Sequence, residues 1–147
     1  MNSKTLLLGV FIWLQQTVHA AIVDTVDTYS PSMQKNIRVV VVRPDNYSKI
    51  NALPVVYLLH GYGGDYADWI SKAKGFEKLA DQYEMMIVCP DGGIGSWYWN
   101  SPEDPSFRYE TYVATELVKW VESKYKTIKD RKARAITGLS MGGHGAL

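Results

Sequence analysis

Three short apolar runs, each closed by a glycine-bearing loop, constrain this chain more than any other feature. They are VVYLLHG at 55–61, MMIVCPDG at 85–92 and ARAITGLS at 133–140. All three read as strands with both faces buried, the kind found in parallel sheets. Between the first two, Trp69, Ile70, Ala73, Phe76, Leu79, Ala80 and Tyr83 recur at steps of three and four. Between the second and third, Tyr109, Tyr112, Val113, Leu117, Trp120 and Val121 do the same. Each set predicts a helix with one apolar face. Strand, helix, strand, helix, strand builds right-handed crossovers and a mostly parallel sheet. Upstream, IVDTVDTYS at 22–30 and VVVV at 39–42 read as two antiparallel strands at the sheet edge, the second ended by Pro44.

In such a sheet, ligands bind outside the C-terminal ends of the strands. Three loops leave that edge: HGYGG, DGGIGSWYWNSP and LSMGG. The last contains Gly138-Leu139-Ser140-Met141-Gly142, a G-x-S-x-G at the end of a strand and the start of a helix. A turn this tight strains the serine backbone and leaves no room for side chains two residues to either side. The gain is position, since Ser140 is lifted above the sheet as a nucleophile. Its partners would be two backbone N–H groups that hold a tetrahedral oxyanion. Met141 follows the nucleophile, and Tyr62 lies in the early loop whose glycines at 61, 63 and 64 permit close approach. As a turn without catalysis, the same serine would be a helix N-cap.

These segments, in their order, resemble the esterase D-like branch of the α/β-hydrolases, which includes S-formylglutathione hydrolases, feruloyl and acetylxylan esterases and mycolyltransferases. The resemblance runs from about Ile37 to Leu147 and is carried by VVYLLHGYGG, DGGIGSWYWNSP, YETYVATELVKWVE and ITGLSMGGHGAL. It implies an α/β-hydrolase fold, an acyl-serine mechanism on Ser140, oxyanion donors at Tyr62 and Met141, and neither metal nor organic cofactor. It also places a triad acid and histidine downstream of the serine, in the order Ser, Asp/Glu, His. Seven residues follow Ser140, whereas a complete domain of this type runs to about 200–250 residues. Residues 21–147 are therefore expected to be the N-terminal part of one such domain, cut after the elbow and of little or no turnover alone.

Neither remaining histidine suits the role of general base. His144 lies on the helix that leads away under Ser140, and His60 opens the oxyanion loop. Asp91 reads as a turn-capping carboxylate beside Gly92-Gly93, and Glu110 and Glu116 as helix-start and contact residues. Ser96, Trp97, Tyr98, Trp99 and Asn100 lie over the active edge. Trp97, Tyr98, Trp99 and Asn100 are candidate pocket residues, as an aromatic wall for a sugar or phenolic acyl group, or else the packing that anchors a long loop.

The N-terminus reads M-N-S-K, then TLLLGVFIWL, then QQTVHA, with Val18 and Ala20 at the −3 and −1 positions. This is the pattern of a cleavable secretory signal peptide over 1–20. Export tilts the expected substrate toward carbohydrate esters, acetyl or feruloyl, rather than a cytosolic glutathione thioester. A net charge of +1 with no basic cluster favours neither nucleic acid nor an anionic membrane. No zinc-type Cys/His spacing and no phosphate-binding glycine loop is present, and the single Cys89, in an apolar run, reads as a buried thiol. The primary expectation is a secreted or periplasmic serine carboxylesterase acting on a small-molecule or carbohydrate ester, with no stable membrane association after cleavage. The alternatives are an acyltransferase to a sugar alcohol on the same fold, or a noncatalytic remnant or binding module. The residues do not specify an oligomeric state.

Overall fold

A computed structural model describes residues 20–147. The expected signal peptide falls outside the described residues except for Ala20. Five strands form one sheet: β1 (Ile22–Ser30), β2 (Lys35–Arg43), β3 (Val55–Leu59), β4 (Met86–Pro90) and β5 (Arg134–Gly138), in the order β1-β2-β4-β3-β5. β1 and β2 form an antiparallel hairpin in register from Ile22↔Arg43 to Ser30↔Lys35. β2 is antiparallel to β4, while β3 is parallel to both β4 and β5. Only β2 therefore runs against the other four strands.

The alternation of side chains along each strand splits the core into two layers. On one face lie Val39, Val41, Val55, Tyr57, Leu59, Met86 and Val88. They pack against Tyr109, Tyr112, Val113, Leu117 and Val121 from the helical segment after β4. On the other face, Val40, Val42, Leu58, Ile87 and Cys89 meet Phe76 and Ala80, with Trp69, Ile70 and Leu79 around them. Each fully buried Val, Leu or Ile contributes about 1.5–3 kcal/mol by leaving water. The VVVV run fills both layers at once, which makes β2 an interior strand rather than an edge one.

Two helical segments differ from the sequence pattern. The first set of apolar residues forms two short helices, α1 (Asp68–Lys72) and α2 (Lys78–Tyr83). Gly75, at φ +77°, turns the chain between them. A lone glycine is compatible with a helical period, so the periodicity carried across the break. The second set is one rod: α3 (Tyr109–Thr111) passes through a π-helical turn (Tyr112–Glu116) into α4 (Leu117–Lys124). That turn is tied to β1. The Tyr112 and Thr28 hydroxyls lie 2.5 Å apart, Ser30 Oγ donates to Glu116 at 2.5 Å, and the Ser32 N–H donates to the same carboxylate at 2.8 Å.

β5 corrects an expectation. It reads as a buried strand, yet Ala135, Ile136 and Thr137 are exposed. It pairs with β3 on one side only, and among the described residues no strand takes its other edge.

Candidate active site

β5 ends at Gly138, Ser140 follows at φ +53°, ψ −111°, and α5 (Met141–Gly145) begins at once. A non-glycine residue held there costs about 1–3 kcal/mol and persists only where its surroundings enforce it. The enforcement is visible. A Cβ on Gly138 would lie 2.5 Å from the Gly142 carbonyl carbon and 2.7 Å from the Leu59 oxygen. A Cβ on Gly142 would lie 2.4 Å from the same oxygen. The Leu139 N–H donates to Leu59 at 3.2 Å, pinning the turn to the end of β3. Ser140 is consequently exposed above the sheet, while the Met141 side chain behind it is fully buried.

The loop after β3 comes to the same place. A Cβ on Gly61 would sit 3.8 Å from Ser140 Cβ and 3.4 Å from the Leu139 oxygen. Gly63, at φ +72°, folds the loop back, and its N–H donates to Ile94 at 2.8 Å. The Tyr62 side chain turns outward, 67% exposed. Among the described residues, neither the Tyr62 N–H nor the Met141 N–H is taken up by a turn or loop hydrogen bond. The strand ends thus bring Ser140, Tyr62 and Met141 into one neighbourhood.

His60 joins this loop to its neighbour. It is 1% exposed. Its Nδ1 lies 2.8 Å from the Gly61 oxygen, and its Nε2 accepts the Gly92 N–H at 2.8 Å. A carbonyl only accepts, so the proton sits on Nδ1 of a neutral ring. Burial opposes charging it; Asp91, with Oδ1 3.8 Å from Nε2, and the Gly61 carbonyl favour the charge, and the net direction of its pKa is upward. Protonation must first displace the Gly92 amide from Nε2. Burial pushes the Asp91 carboxyl the other way from His60 and the Gly93 N–H, which together hold its pKa below the usual range.

The loop after β4 sorts the remaining candidates. Trp97 and Tyr98 are successive aromatic residues in the left-handed region, at φ +53° and +56°. Trp97 is 46% exposed, and its ring meets His144 edge to face at 5.6 Å. Tyr98 is a core residue, not a pocket wall. It is 3% exposed, and its hydroxyl accepts from the His60 N–H at 3.0 Å. Trp99 is 52% exposed. Asn100 closes the loop, donating to Thr111 Oγ1 at 2.9 Å and accepting the Thr111 N–H at 3.1 Å. Those bonds anchor the loop.

Beside the elbow lies a cavity of about 140 Å³ lined by His60, Gly61, Asp68, Trp69, Lys72, Ala73 and Leu139. Trp69 was legible only as part of a helix face, and nothing in its spacing marks it as a site residue. Among the described residues neither histidine ring bonds to the Ser140 hydroxyl: the His60 ring is engaged as above, and His144 Nδ1 lies 2.9 Å from the Trp97 oxygen. Among the described residues no group of three or more His, Cys, Asp or Glu side chains is placed to hold a metal. No helix among them is long and apolar enough to cross a membrane.

Comparison with known proteins agrees with this geometry. The Esterase family model matches residues 30–147. An esterase of Mycobacterium tuberculosis is 37% identical over 112 residues, 73% of this chain and 24% of that protein. The acetyl esterase of Caldicellulosiruptor saccharolyticus is 31% identical over 130 residues, 83% of this chain and 48% of that protein. The structure of a ferulic acid esterase superposes with a TM-score of 0.74 at 31% identity, covering 86% of this chain and 51% of the other. The chain thus spans about half or less of the length of each. Sheet order, elbow and family match lead to one conclusion: the chain belongs to the Esterase family and has the α/β-hydrolase fold.

Proposed function

We propose that this chain carries the nucleophile and oxyanion hole of a secreted serine carboxylesterase acting on acetyl or feruloyl esters of carbohydrate. One observation carries the reading: Ser140 stands exposed in a strained turn at the end of β5, with the Gly61 backbone against it. Ser140 Oγ attacks the ester carbonyl, and the hydroxyl proton passes to a base outside the described residues. The Tyr62 and Met141 amides receive the charge that develops on the carbonyl oxygen. Collapse expels the alcohol and leaves an acyl-serine, which water then cleaves. The acyl group is suggested by the acetyl esterase and the ferulic acid esterase that the chain resembles. Export rests on the residue pattern of 1–20.

A fluorophosphonate probe on the protein expressed from its complete reading frame tests the central step. The adduct is expected on Ser140 and absent in Ser140→Ala; labelling elsewhere, or none, overturns the assignment. Mass spectrometry of the mature N-terminus tests export, with Ala21 as the expected first residue. A sugar acceptor in the assay separates hydrolysis from acyl transfer.

A further inference from the structure

We infer that His144 is a positioning residue that fixes Trp97 as a flat wall against the helix that starts at the nucleophile, and that this wall receives an aromatic acyl group. The inference rests on the esterase reading of Ser140. His144 is one helical turn past the nucleophile, and its N–H donates to the Ser140 carbonyl at 3.1 Å. Its side chain is not committed to the core; it reaches across to the loop after β4. Nδ1 lies 2.9 Å from the Trp97 carbonyl oxygen, so Nδ1 carries the hydrogen. The imidazole and indole rings stand at 85° with centroids 5.6 Å apart.

The residue after Trp97 is clamped independently. The Tyr98 N–H donates to Ser96 Oγ at 3.0 Å, and its hydroxyl is held by His60. A Cβ on Gly145 would lie 2.4 Å from Tyr98 Cβ, so α5 and this loop are in direct contact. Two successive aromatic residues do not adopt left-handed backbone conformations unaided. The contacts that enforce them leave one large indole half in water, held at its carbonyl by a residue of the nucleophile helix. An exposed indole held at its backbone offers a face on which a planar ring stacks, at little entropic cost. An acetyl group has no such face.

The test uses His144→Ala, His144→Asn, His144→Gln and Trp97→Ala in the protein from its complete reading frame, with thermal melts to verify folding. The readouts are the Kd for ferulate and the ratio of kcat/KM for methyl ferulate to that for p-nitrophenyl acetate. Trp97→Ala and His144→Ala are each expected to weaken ferulate binding and lower the ratio about tenfold, the scale of one aromatic contact. Asn places its amide N–H where Nδ1 was and should restore both to within about threefold; Gln should not. The double variant should be no worse than Trp97→Ala, because the histidine acts through the indole. Equal loss on both esters, additive effects, no rescue by Asn, or a wild type that ignores ferulate while still labelled at Ser140 overturns the inference. Absence of Ser140 labelling would instead sink the esterase reading, and the ferulate Kd values would still report on the wall.

Discussion

Gly142 backs onto Leu59 so closely that a methyl group on the glycine would lie 2.4 Å from the leucine carbonyl oxygen and 2.8 Å from that of His60. Both obstacles are backbone, so neither can swing aside. Gly142→Ala is expected to destabilise the protein by about 3 kcal/mol, at the upper end of overpacking costs. Gly143→Ala is the control: its Cβ would meet only the Gly138 oxygen at 3.4 Å, and its effect should stay within about 1 kcal/mol. Denaturant melts of the two variants side by side check the contrast.

The Ser140 backbone predicts an inversion of the usual order. Glycine is ordinarily the less stabilising replacement. At φ +53° and ψ −111° it relieves a strain that alanine keeps. Ser140→Gly should be more stable than Ser140→Ala by about 1 kcal/mol, with both inert toward fluorophosphonate. Equal melting temperatures would mean that the turn stores no strain.

His60 links two loops through bonds that no smaller side chain can make. His60→Ala leaves the buried Gly92 N–H without its partner and takes one of two from the Gly61 carbonyl, which keeps the Gly64 N–H at 3.1 Å. A loss of about 1–3 kcal/mol is expected. The release of Gly61 should also slow turnover of even the simplest ester, because the Tyr62 amide is the next residue. A variant of wild-type stability and activity would remove His60 from this account.

Cys89 is 1% exposed, and burial pushes its thiol up to about 12 from an ordinary value of 9.0. The native protein should therefore resist iodoacetamide at pH 8 and react fully in denaturant. The sign for stability follows from the raised folded value. The thiol's contribution is intact below pH 9 and is lost as pH climbs toward 12. Rapid native-state alkylation at pH 8 would contradict the burial.

The strands and the elbow were legible because each depends on local chemistry. VVYLL and MIVCP are apolar enough to be strands in any context, and a serine with glycines two residues to either side admits few conformations. What stayed hidden depends on long-range contacts. Nothing near Tyr98 in the chain says that its hydroxyl meets His60, 38 residues away, so the sequence leaves it, like its neighbours, between pocket wall and loop packing. The break at Gly75 was masked by flanking residues that keep a helical period on both sides. β5 carries a strand's composition, but burial is conferred by neighbours, and among the described residues only β3 supplies one.

Under the proposed esterase chemistry, that one-sided pairing sets the direction from which a proton acceptor would reach Ser140. β3 and β5 point the same way, and Ser140 stands at the finishing end of β5. Any strand laid alongside β5 in that direction delivers its own trailing loop to the flank of Ser140 away from Gly61. On that reading the two sides of the hydroxyl would divide the labour, with amides on the β3 side and an imidazole with its carboxylate on the other.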